Sequence, residues 1–105
     1  MLLVVLAVVI GVLAGTASAT APIKTAKIVN YAFRPGRLTI HKGTRVVWLW
    51  SGGFIGHNVV VINGPVKFHS RTKASGGYAH LFTRAGTYHL ECTLHPAMTE
   101  TIVVQ

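Results

Sequence analysis

Aspartate is absent from this chain of 105 residues, and its only acids are Glu91 and Glu100. Hydrolytic and nucleophilic chemistry ordinarily needs a base held by an orienting partner, and neither glutamate forms an evident couple of that kind with a histidine. An enzyme of that class is therefore not expected. Cysteine occurs once, at Cys92, so no internal disulfide can form. Helical periodicity is missing as well: apolar residues recur with a period of two, not 3.6, and no internal repeat is present. Methionine is scarce, with Met98 the only one beyond Met1. A Met-rich metal-trafficking segment is thereby excluded. Basic runs are also lacking, because the ten lysines and arginines are scattered singly.

What the chain does have begins at its amino end. Residues 2 to 14 are apolar, and Ala17-Ser18-Ala19 gives the small-x-small pattern of a signal-peptidase site. Residues 1–19 read as a signal peptide, with an uncleaved anchor as the alternative because only the amino terminus is charged there. The run is short for a bilayer span, which needs about 20 apolar residues. Residues 20–105 then form a single exported domain, periplasmic or extracellular. In an oxidising compartment a free thiol is a liability, and coordination to a metal is the simplest reason to keep one.

Net charge is +8, and every lysine and arginine lies beyond residue 19. The surface of the domain is expected to be positive, which favours acidic redox proteins or an anionic membrane surface as partners. No nucleic-acid partner is expected of an exported chain, and a monomer is expected.

Alternation places strands at 23–30, 37–41, 45–50, 78–83, 87–92 and from about Glu100 to Val104, with another starting at His57. Pro35-Gly36, Lys42-Gly43, Ser51-Gly52-Gly53 and Ala85-Gly86 supply turns, and 63–77 reads mostly as loop. Six to eight short strands without a helix predict an all-β fold, a Greek-key β-sandwich. The same alternation sorts the histidines. Tyr88, Leu90 and Cys92 share the inner face of their strand while His89 looks out; His41 also faces solvent, and His69 lies apart from these strands in a polar loop beside Arg71 and Lys73. His80 alternates with Tyr78 and Phe82 and is read as a packing residue.

The densest chemistry lies in Cys92-Thr93-Leu94-His95-Pro96-Ala97-Met98. A thiolate, an imidazole and a thioether in one short loop suit copper better than magnesium or calcium. A fourth donor must come from elsewhere, and His57, ahead of the apolar run Val59 to Ile62, is the best candidate. Two imidazoles, a thiolate and a weak axial thioether make the ligand set of blue-copper electron-transfer sites.

In these residues the chain resembles the cupredoxins of the plastocyanin and amicyanin kind. His57-Asn58-Val59 and the Cys-x-x-His-x-x-Met loop match that family's ligand motifs, so the resemblance implies His57, Cys92, His95 and Met98 as ligands of one type 1 copper ion. Asn30-Tyr31-Ala32-Phe33, Pro35, Gly43 and Val47-Trp48 look like the opening strands of plastocyanin-like domains, and Trp48-Leu49-Trp50-Ser51-Gly52 is closer to the halocyanins. Trp50 stands where asparagine is usual, and Glu100 stands where glycine is usual. The implied function is single-electron transfer, with His95 meeting partners within an apolar patch of Phe54, Ile55, Pro96 and Ala97. Copper delivery or storage is the alternative. In cupredoxin enzymes the cysteine is typically flanked by histidines that lead to a second copper; here the flanks are Glu91 and Thr93.

Overall fold

A computed structural model describes residues 20–105; the signal-peptide reading of residues 1–19 lies outside them. Among the described residues there are eight strands and no helix: β1 (Ile23–Val29), β2 (Ala32–Arg34), β3 (Arg37–Ile40), β4 (Thr44–Trp50), β5 (Val60–Asn63), β6 (Gly77–Phe82), β7 (Gly86–Cys92) and β8 (His95–Val104). They form two four-stranded mixed sheets, ordered β2-β1-β4-β6 and β3-β8-β7-β5. Each sheet contains one parallel pair, β1 with β4 and β3 with β8. Every connection from β2 through to β7 passes from one sheet to the other.

The period-two pattern decides what faces the space between the sheets. On β4, Thr44, Val46, Trp48 and Trp50 are buried while Arg45 and Leu49 are exposed. Tyr88, Leu90 and Cys92 point inward from β7, and Met98, Glu100, Ile102 and Val104 from β8. Trp48 sits at the centre of this core, with the rings of Tyr78, Phe68 and Phe82 at centroid distances of 5.8, 6.1 and 6.4 Å. Burying each large apolar side chain contributes about 1.5–3 kcal/mol, so this aromatic cluster carries much of the fold's stability.

Most strand ends differ from the sequence reading by a single residue, and three differences bear on the site. The first strand ends at Val29, because Asn30 and Tyr31 turn the chain back into β2, which pairs antiparallel with β1. His57 does not open a strand; it forms an isolated bridge with Lys73, and β5 begins at Val60. The last strand starts at His95, not near Glu100, since Thr93 and Leu94 alone suffice to turn β7 into β8. The segment 63–77 is mainly loop, as expected, but it is tied down by bridges at His69 and Lys73.

Glu100 lies in the core. Counted in the sequence among the acids of the domain, it is only 1% exposed and accepts a hydrogen bond of 2.7 Å from Trp48 Nε1. That bond joins β8 of one sheet to β4 of the other. Glu100 Oε2 has no partner, and burial pushes the carboxyl pKa up to about 7, against the opposing effect of the Trp48 hydrogen bond. With Glu100 inside, Glu91 is the one acidic side chain on the surface of the described residues, facing ten lysines and arginines.

Candidate metal centre

The sandwich brings three of the four sequence-predicted donors, His57, Cys92 and His95, together at one end of the sheets. Cys92 closes β7 on its inner face and is fully buried. After the two-residue turn it is paired with His95, at a shift in register between Glu91 and Cys92, and His95 Nδ1 comes to 3.5 Å from Cys92 Sγ. His57 arrives from the segment before β5, held by reciprocal backbone bonds with Lys73 of 3.0 Å each. It is 0% exposed, and its Nδ1 lies 3.9 Å from the same sulfur. One ligand atom from each of His57, Cys92 and His95 falls within 4.8 Å of the others.

These distances suit a single ion. A metal bound to nitrogen at about 2.1 Å and to sulfur at about 2.3 Å, with angles between tetrahedral and trigonal, holds those atoms about 3.6–3.8 Å apart, and the two observed distances, 3.5 and 3.9 Å, bracket that span. Burial, and after it the nearby His95, keeps the His57 imidazole below the ordinary histidine range, so the ring is neutral and its nitrogen free to donate. Met98, three residues beyond His95, is buried on the core face of β8 that also carries Glu100 and Ile102.

The remaining histidines lie elsewhere. His41, His69 and His89 are exposed, and His80 stacks on Phe68 with centroids 3.7 Å apart and planes at 10°, the packing role read from its alternation.

Several neighbours make the donor cluster rigid. Asn58 Oδ1 accepts from Thr93 N at 2.8 Å, and Asn58 Nδ2 donates to Thr93 Oγ1 at 2.7 Å and to Thr72 Oγ1 at 3.3 Å. One side chain thus ties the His57 segment to the turn between Cys92 and His95. Ser70 Oγ accepts from Val59 N at 2.9 Å and secures the same segment from the other side. Trp50, one of the two residues that depart from the family pattern, donates from Nε1 to the His57 carbonyl at 3.0 Å, with Lys73 Nζ 5.0 Å from its ring centroid. Tyr31 belongs to the turn between β1 and β2. Its ring stands edge-on to His95 at 5.0 Å and to His57 at 6.1 Å. The only signal for it in the sequence is its position after Asn30, between two strands.

Because Asn58 makes three side-chain hydrogen bonds in a nearly buried setting, Asn58→Ala is expected to lower the stability of the metal-free chain by about 2 kcal/mol. Denaturant unfolding checks this; a change below about 0.5 kcal/mol would contradict the tie between the two segments.

Residues 21–105 match the family model of copper binding proteins, the plastocyanin/azurin family. The chain belongs to that family. Copper is therefore the metal of this cupredoxin, and the His57, Cys92 and His95 cluster fits one type 1 copper site. Among solved structures, the cupredoxin chain is similar to a copper-containing nitrite reductase from Thermus scotoductus SA-01, at 29% identity and a TM-score of 0.74 over 85% of this chain. It spans only 23% of that enzyme's length. It is also similar to amicyanin: a reduced, copper(I) proline-to-glycine variant gives 28% identity and a TM-score of 0.69, covering 88% of this chain and 89% of that one. A reduced proline-to-phenylalanine variant of amicyanin gives 27% and 0.67 over the same shares. No curated protein matches the cupredoxin chain.

Proposed function

We propose that this chain is a single-electron carrier whose copper is held by His57, Cys92, His95 and Met98. The observation that carries the reading is the convergence of His57 Nδ1 and His95 Nδ1 on one buried sulfur, at 3.9 and 3.5 Å. Copper held by these residues would supply a reversible one-electron change between Cu(I) and Cu(II), with the Met98 thioether as a weak donor. The chain's own task is to keep the donors still during that change, since the two oxidation states prefer different geometries. His57 bridged to Lys73, Asn58 bonded to Thr93, and Cys92 at the end of a paired strand all serve it.

A carrier role also agrees with what surrounds the site. His57 is buried, while His95 is partly exposed beside the exposed Leu94, Pro96 and Ala97. Phe54, 100% exposed, and Ile55 are apolar and exposed in the segment that leads to His57. Electrons are proposed to pass through this His95 face to redox proteins with acidic surfaces, drawn by the positive charge of the domain; an anionic membrane surface would be attracted by the same charge. Residues 1–19 are proposed as a signal peptide and residues 20–105 as the exported copper domain, acting as a monomer. The chain is not proposed to be an enzyme: Glu91 and Thr93, not histidines, flank Cys92.

The full chain loaded with stoichiometric copper(II) is expected to show an intense blue band and a reversible one-electron wave in voltammetry. A site that gave no reversible wave and passed its copper readily to metal-free acceptor proteins would be a delivery site instead.

A further inference from the structure

The turn between β1 and β2 consists of Asn30 and Tyr31, neither of which is a donor to the metal in the reading above. Asn30 Oδ1 lies 3.3 Å from His57 Nε2, while the opposite nitrogen of that ring, Nδ1, faces Cys92 Sγ at 3.9 Å. An imidazole that offers its lone pair at Nδ1 carries its proton on Nε2. In a ring wholly shielded from water that proton needs an acceptor. Asn30 Oδ1 supplies one.

The backbone around Asn30 is shaped to hold it there. Gly52 approaches so closely that a Cβ on it would stand 2.6 Å from Asn30 Oδ1 and 3.0 Å from Asn30 N. Tyr31 has φ of +68°, a left-handed conformation uncommon for a residue with a large side chain. Its ring packs edge-on against both histidines. Backbone conformations of this kind gather where surrounding structure imposes them, often at functional sites. Three independent features of one corner thus converge on the His57 ring.

We propose that Asn30 is a positioning residue of the metal centre. It accepts the Nε2 proton of His57 and so fixes both the tautomer and the rotation of the imidazole with Nδ1 toward Cys92. Gly52 leaves room for the Asn30 side chain, and Tyr31 confines the ring from the open side. The purpose of the contact rests on the copper reading, but the contact itself does not.

The test compares the wild-type full chain with Asn30→Ala, Asn30→Asp and Gly52→Ala, after circular dichroism has confirmed that each is folded. In the metal-free proteins, long-range ¹H–¹⁵N spectra of the imidazoles are expected to show the Nε2–H tautomer for wild-type His57 and a mixture in Asn30→Ala. Asn30→Asp keeps an oxygen acceptor and is expected to restore the single tautomer. Gly52→Ala displaces the Asn30 side chain and is expected to resemble Asn30→Ala. In competition with a chelator, copper affinity is expected to fall about 10- to 100-fold in Asn30→Ala, with a shifted absorption band, and to recover in Asn30→Asp. An unchanged tautomer and unchanged copper affinity in Asn30→Ala would overturn the proposal, as would an Nδ1–H tautomer in the wild type. A wild-type chain with the Nε2–H tautomer but no intense copper band would uphold the contact and strike the copper reading instead.

Discussion

Cys92→Ser is expected to abolish the intense visible band of the copper-loaded chain and to leave copper bound so weakly that a mild chelator removes it. The sulfur is the one atom within reach of both Nδ1 nitrogens, at 3.5 and 3.9 Å, and the colour of such sites depends on the bond between copper and thiolate. A hydroxyl is a harder and far less easily ionised donor, so the imidazoles alone would offer a pale, exchangeable site. The fold should survive the change. Cys92 lies at the end of β7, outside the Trp48, Phe82 and Tyr88 ring cluster, and a swap of this size costs about 1–2 kcal/mol. Absorption and chelator competition, with circular dichroism as the control for folding, decide the matter. A blue band that persisted in folded Cys92→Ser would end the type 1 assignment.

The second large effect concerns Glu100. Its carboxyl titrates at about 7 in the folded protein against an ordinary value of 4.5, chiefly because it is buried. The folded state therefore holds this proton more tightly than the unfolded state does. Stability from Glu100 is fully present below pH 4.5 and is lost as pH rises through about 7, after which the loss levels off. At about 1.4 kcal/mol for each pH unit in that window the total is about 3 kcal/mol. His57 and His80 act in the opposite sense: burial lowers both, so the unfolded state binds their protons better and stability rises with pH as they deprotonate. Glu100→Gln separates the two trends. It keeps an oxygen for Trp48 Nε1 but cannot ionise, so the difference between wild type and Glu100→Gln should grow by about 3 kcal/mol from pH 4.5 to pH 7.5. Denaturant unfolding of the metal-free proteins measures it. Parallel stability curves would show that Glu100 reaches water when it ionises.

Much of the site was legible because the donors are chemically rare and the strands are simple. One cysteine at the inward end of an alternating run, with His95 and Met98 close behind, left few other uses for those side chains. His57 could be chosen over His41 and His89 because they fall on outward positions, over His69 because it lies in a polar loop, and over His80 because it sits between aromatic neighbours; the structure leaves the first three exposed and stacks His80 on Phe68. The strand count fell within the expected six to eight, and the sandwich followed from it. What the sequence concealed were partnerships across the two sheets. Alternation from Met98 places Glu100 inside, but an acid in the core is a costly choice unless a donor waits there, and nothing in the string of residues shows that Trp48 does. Likewise, nothing near Asn30 in sequence announces His57, 27 positions away. Trp50, which stands where asparagine is usual in the family, makes a hydrogen bond to the His57 carbonyl.

The parallel pairing of β1 with β4 has a consequence for how the protein would be carried. Ile23 pairs with Arg45 at one end of the sheet, and Ile28 pairs with Trp50 at the other, beside His57. Between Ile23 and Val29 the extended chain covers about 20 Å. Whatever precedes Ile23 therefore joins the sandwich at the end of this sheet away from Trp50 and His57, so that the histidine-bearing end stays unencumbered by that connection.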